Sequence, residues 1–387
     1  MSKHNFSRLS PDKVIQFGRA VLGNPETART RILMHGDPGV GKSAIARAIA
    51  EGIGASLIDL RLLQLDLGAL RGLEHIYEDK DTGETITKAA RPEFLPPYVA
   101  DEDITEDTPR YLILLDEIGA ADDAIRKASF EMLTDHRCGP HKLGSNVTII
   151  AATNSNEDGT LIYEFDRATA DRFCHIMVVS SAEVLLEHAL ENGWHHFVTS
   201  AIRANPNIIT ATPEEIQNNV LAQSSSRSLE RVSNALKVYS DNRMTAEVVE
   251  WFMRGMIGDH NANFILDQMN DEQAQFDIEQ LTSNPVQDRK YPETDFGVFS
   301  MIDALSAWST DPERLDKAIS VVFEMPNTAT SVGSDARTTF IHQVEKKMVE
   351  FEVFTKYALD PRVAPHVSET HQKLAEHDRA AAERRAA

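Results

Sequence analysis

The chain has 387 residues, 42% hydrophobic and 26% charged, a balance that excludes disordered and fibrous chains and leaves room for two or three domains. Its 39 Lys and Arg against 60 Asp and Glu give a formal net charge of -21, which repels bulk nucleic acid and favours basic or neutral protein surfaces as partners. Cys138 and Cys174 form no CxxC pair and no zinc-like spacing, the start MSKHNFSRLSPDK lacks a signal-peptide core, and no run approaches the roughly 20 apolar residues of a membrane span, so a cytoplasmic protein is expected.

In chain order, four apolar runs read as buried parallel strands: RILMHG from Arg31, ASLIDLRL from Ala55, YLILLDE from Tyr111 and VTIIAATN from Val147. CHIMVV from Cys174 makes a fifth. Helical patterns alternate with them, in SAIARAIAEGIG after Gly41 and AIRKASFEMLTDH after Asp123, which predicts a five-stranded α/β sheet with helices on both faces. Ile76–Ile86 has short β-prone ends around a polar turn and predicts a hairpin, an insert near residues 74–90, followed by the proline-stiffened RPEFLPP.

Strand signals fade after Val179. TPEEIQNNVLAQ, SRSLERVSNALKVYS and TAEVVEWFMRGMIG then read as helices with Ser or Thr at their starts. The expected organisation is an α/β domain over 1–180, a helical domain over 181–265 and a mainly helical region over 266–387. In that last region the aromatics Phe296, Phe299, Trp308, Phe323, Phe351 and Phe354 read as core, and the charged, Ala-rich end from Ser368 as a solvated or frayed helix.

The strongest chemical signal is GDPGVGKS: Gly36, Asp37, Pro38, Gly39, Val40, Gly41, Lys42 and Ser43, with Ala44 next on the helix. It matches GxxxxGK[ST] and lies between a strand and a helix, where backbone N–H groups and a helix N-terminus can wrap phosphate oxygens. Lys42 would face the β and γ phosphates of ATP, and the Ser43 hydroxyl would ligate Mg2+. The strand YLILLDE ends in Asp116 and Glu117, at the strand end where open α/β sheets bind ligands. Asp116 would hold the metal and Glu117 would act as general base on the attacking water.

Asn154, closing VTIIAATN, can orient that water without adding charge, or can simply open the turn TNSNEDG. DRATADRF, from Asp166 to Phe173, offers Arg167 and Arg172 as arginine fingers reaching a neighbouring subunit's γ-phosphate, or as internal ion-pair partners of Asp166 and Asp171. Arg227, at a helix start in SSSRSLE, can close onto phosphates or remain an exposed first-turn residue. His195 and His196 read as structural or surface residues, with no acid or nucleophile placed beside them.

These elements, in this order and followed by a helical lid, resemble the AAA+ ATPases over roughly residues 10 to 260. The hairpin insert, the LLDEIGAADDAIRKASFEML run and the NSNEDGT…ATADRF stretch look most like the MoxR-like and dynein-related branch. Gly119, Ala120 and Ala121 replace that branch's usual Asn-Arg-Ala, and Ser155 stands where its proline often follows. The resemblance implies that Gly36–Ser43 is Walker A, Asp116 and Glu117 are Walker B, Asn154 is sensor 1, Arg172 is the arginine finger and Arg227 is sensor 2. It also implies a homo-hexameric ring, ATP with Mg2+, and a protein substrate or partner such as one carrying a von Willebrand A domain.

The function expected is therefore an ATP-driven protein remodeller. A nucleic-acid motor or loader of the same fold is the alternative, disfavoured by the charge of -21 and the acidic EDKDTGE tip of the insert. A nucleotide-gated scaffold with little turnover and a small-molecule kinase are the other readings; intact Lys42, Asp116 and Glu117 weigh against the first, the Asp-Glu pair and the added lid against the second.

Overall fold

The computed structural model describes residues 7–78, 83–154, 170–212, 220–326 and 333–367, together with Glu215 and Asn218. Ser155, Arg167 and the end from Ser368 lie outside the described residues, as do Pro213, Glu214, Ile216, Gln217 and Asn219 of the first expected lid helix. The chain divides into two compact units, Met1–Val184 and Leu185–Ala387.

The first unit runs β1 (Ser7–Leu9), α1 (Pro11–Gly23), β2 (Ile32–Gly36), α2 (Lys42–Gly52), β3 (Ala55–Arg61) and α3 (Leu67–Arg71). It continues with β4 (Glu74–Glu78), β5 (Thr85–Ala89), β6 (Arg110–Asp116), α4 (Asp123–Asp135), β7 (Arg137–Cys138), β8 (His141–Lys142), β9 (Val147–Asn154) and β10 (Cys174–Val178). The main sheet is parallel with the order β1-β10-β2-β9-β6-β3. It therefore has six strands, not the five expected. The extra strand, β1, is three residues long with one apolar side chain, too short to carry a periodic signal; backbone pairing of Ser7, Arg8 and Leu9 with Ile176, Met177 and Val178 makes it a strand.

The apolar runs are strands because both faces of the sheet are covered, so alternate residues of one strand enter two different cores. Leu33, Ile113, Leu115, Ile149 and Ala151 face one way and pack with Ile125, Ala128 and Met132 of α4. Ile32, Met34, Leu112, Leu114, Ile150 and Ala152 face the other way and pack with Val14 and Leu22 of α1 and Ile45, Ala46 and Ile49 of α2. Outside this sheet, β4 and β5 form an antiparallel ribbon with Tyr77 opposite Ile86, and the Lys88 ammonium lies 3.9 Å from the Tyr77 ring centroid. A second, two-residue ribbon joins β7 to β8.

In chain order the helices that follow are α5 (Ala182–Glu191), α6 (His196–Ala204), α7 (Ser226–Ser240), α8 (Ala246–Asn270), α9 (Ile278–Ser283), α10 (Asp295–Trp308), α11 (Pro312–Glu324), α12 (Gly333–Glu350) and α13 (Phe354–Ala358). Ser225 and Ser228 form a reciprocal capping box at the start of α7, and Thr245 caps α8, which breaks at Gly258 (φ 77°, ψ 165°). The core of the second unit draws Val298, Met301 and Leu305 from α10, Leu315, Ile319 and Val322 from α11 and Phe340, Ile341 and Val344 from α12. Buried Asp303 on α10 accepts from Thr199 and Arg203 of α6 and from Gln343 of α12, so the charge is paired and fully hydrogen-bonded.

Candidate active site

The C-terminal ends of β2, β6 and β9 converge, as ligand-binding crevices of open parallel sheets require. Gly36 ends β2 and pairs in register with Asn154, the last residue of β9. The chain then turns through Asp37–Gly41, with Gly39 at φ 82° and Gly41 at φ 96°, a path that side chains other than glycine rarely follow. Gly41 is the N-cap of α2 and has no side chain with which to cap the first amides of that helix. Such a loop running into a helix N-terminus suits an anion with several oxygen acceptors.

Lys42 opens α2 and is 8% exposed. Its Nζ donates to the Gly36 carbonyl at 2.7 Å, to the Asp37 carbonyl at 3.1 Å and to Asn154 Oδ1 at 3.0 Å. The ammonium thus folds back over the loop and touches the end of β9. Beside it, Ser43 Oγ donates to Asp116 Oδ2 at 3.2 Å, and the other oxygen, Oδ1, accepts the Glu117 N–H at 3.0 Å. Glu117 has φ 60°, a left-handed conformation that costs a non-glycine residue on the order of 1 kcal/mol. The Ala120 N–H bond to the Glu117 carbonyl and the Ile118 N–H bond to Ala152 on β9 hold it there.

The geometry therefore brings together two hydrogen-bonded pairs, Lys42 with Asn154 and the adjoining Ser43 with Asp116, with Glu117 beside the second. Among the described residues no group of three or more His, Cys, Asp or Glu is placed to hold a metal ion by itself. The hydroxyl and carboxylate of Ser43 and Asp116 are a two-oxygen donor set, which fits Mg2+ completing its shell with water and phosphate oxygens. Sequence reasoning missed Asp59 on β3: burial pushes its carboxyl above the usual range, and the charge of Asp116 adds to the effect. Its signal is spatial, because β3 pairs in register with β6.

Arg172 is exposed in the turn Ala170–Phe173 that leads into β10. Register sets Cys174 beside Ile32, the first residue of β2, so Arg172 lies past the sheet edge opposite the phosphate loop. The length of β2 alone separates the two edges by about 13 Å. Arg227 is exposed in the first turn of α7.

Residues 32–181 match the family described as ATPase family associated with various cellular activities (AAA). No curated protein matches the chain. Among solved structures, Brucella abortus NtrX in complex with ADP is similar at 16% identity with a TM-score of 0.37, covering 88% of this chain and 68% of its own. A point mutant of Thermotoga maritima RuvB is similar at 15% identity with a TM-score of 0.35, covering 64% of this chain and 75% of its own. With the phosphate loop and the strand-end carboxylates inside the matched segment, residues 32–181 form an AAA ATPase domain, and the chain has the AAA+ P-loop NTPase fold.

Proposed function

We propose that the chain hydrolyses ATP as a ring, hexameric by analogy with its MoxR-like resemblance, and uses the cycle to remodel or activate a protein partner. In this reading the loop Gly36–Ser43, with Ala44, binds the phosphates, and Lys42 exchanges part of its present carbonyl and amide contacts for phosphate oxygens. Ser43 and Asp116 hold Mg2+, which supplies charge neutralisation across the phosphates. Glu117 takes the proton of the attacking water, Asn154 orients that water, Arg172 of one subunit serves the next, and Arg227 reports nucleotide state from the helical lid.

The observation that carries the reading is the contact of Lys42 with Asn154 alongside the contact of Ser43 with Asp116. Together they tie the phosphate loop to two strand ends through the residues the chemistry needs. The acidic charge of -21 favours a protein as the moved substrate, one with a von Willebrand A domain being the class that the branch resemblance suggests.

The test is the ATPase rate as a function of protein concentration, with mass followed by light scattering, for wild type and Glu117→Gln. The rate per chain should climb as rings form and ignore single-stranded DNA, duplex DNA and RNA. Glu117→Gln should bind ATP and lose at least about a hundredfold in turnover. A strong rise with nucleic acid would turn the reading to a motor or loader, and a bound nucleotide without turnover would turn it to a scaffold.

A further inference from the structure

Two histidines join the opposite edges of the sheet. His35 precedes Gly36 on β2, at the phosphate-loop edge, whereas His175 follows Cys174 on β10, at the edge that carries Arg172. His35 Nε2 lies 2.9 Å from His175 Nδ1, with the rings stacked at a centroid separation of 5.2 Å and an interplanar angle of 28°. His175 Nε2 lies 2.8 Å from the Ala170 carbonyl oxygen. That same carbonyl accepts the Phe173 N–H at 3.1 Å, which closes the turn Ala170–Phe173 with Arg172 inside it.

A carbonyl oxygen only accepts, so His175 Nε2 carries a proton, and the bond between His35 Nε2 and His175 Nδ1 takes its direction from the tautomers of the two rings. The Phe173 ring meets the His175 ring edge-on at 6.0 Å and the Phe130 ring of α4 at 6.0 Å, which fixes the orientation of the imidazole. A chain of two hydrogen bonds thus runs from the strand that ends in the phosphate loop to the carbonyl that closes the Arg172 turn.

We infer that His35 and His175 are positioning residues: the relay from His35 through His175 to the Ala170 carbonyl sets the turn from which Arg172 is presented to the neighbouring subunit. The inference rests on the reading of Arg172 as a finger acting in trans. Because His35 adjoins Gly36, whose carbonyl accepts from Lys42, a shift at the phosphate loop of one subunit passes along the relay to the finger it offers the next.

The full chain tests this. His175→Phe keeps a ring in the pocket but ends the relay, and it should lower kcat about tenfold while the dissociation constant for ATP stays within about twofold. His35→Leu should act likewise, whereas His35→Gln, whose amide can donate to His175, should recover most of the rate relative to His35→Leu. Adding Arg172→Ala to His175→Phe should lower the rate no further than Arg172→Ala alone, since both act on one group. Independent losses in that double variant would overturn the inference, as would a loss in His175→Phe confined to ATP affinity.

If Arg172→Ala leaves the rate unchanged, the finger reading falls and the relay is judged on backbone order alone. Amide exchange at Asp171–Phe173 that quickens in His175→Phe and in His35→Leu and recovers in His35→Gln would sustain it; unchanged exchange in all three would end it.

Discussion

A Cβ placed on Gly36 would lie 2.8 Å from the Val178 carbonyl oxygen of β10 and 3.1 Å from Val40 Cγ1. The first neighbour is backbone and cannot swing aside, so alanine must part β10 from β2 or open the phosphate loop. Gly36→Ala should cost about 1–3 kcal/mol and weaken nucleotide binding, which denaturant unfolding and nucleotide titration would report together. Unchanged stability with full binding would mean that the strand ends give way to a methyl group without cost, against this reading of the close approach. The motif was legible at this scale because its spacing is local. The His35–His175 contact was not: the two residues lie 140 apart in the chain, and only the β2–β10 register brings them together. Asp59 escaped notice for the same reason, since a carboxylate inside an apolar run acquires meaning only when β6 is set beside it.

Among elements, the central strands were readable from their apolar runs, whereas β1 was hidden by its length and α1 by a mixed pattern whose buried positions are only Val14, Gly18 and Leu22. α6 carries a device no pattern announces: its N-cap is His195, whose Nδ1 accepts the Phe197 N–H at 3.3 Å and whose Nε2 faces Ser240 Oγ at 3.0 Å. Burial pushes this imidazole down to about 4, with Lys237 as a smaller cause, and burial also holds His196 well below its ordinary value. The folded ring stays neutral where an unfolded chain takes up a proton near 6.5, so the cap's contribution is complete above about pH 6.5. It weakens as pH falls through 6.5 and levels off below about 4, a total effect on the order of 3 kcal/mol. His195→Asn retains a capping acceptor without titrating, and urea unfolding at pH 7 and pH 5 should show a shallower pH slope than wild type, with His196 supplying the remainder. An unaltered slope would place the titration elsewhere.

For the whole molecule, the separation of Arg172 from the phosphate loop by the length of the sheet strands means that a subunit cannot deliver this guanidinium to its own Lys42 site by side-chain motion alone. Glu117→Gln and Arg172→Ala chains should therefore each be nearly inactive alone, yet regain about a quarter of the wild-type rate when mixed in equal amounts, because some sites then pair an intact base with an intact neighbour. No recovery in freely exchanging mixtures would count against action in trans. Among the described residues no helix is long and apolar enough to cross a membrane. The ladder that sets Gly36 opposite Asn154 and Arg61 opposite Asp116 has a consequence for descent as well as for chemistry. One residue gained or lost within β9 would move its end by about 3.3 Å and turn each later side chain to the opposite face. A length change in the β4–β5 ribbon, which lies outside this ladder, leaves that register intact, so insertions are expected there before they are expected within the central strands.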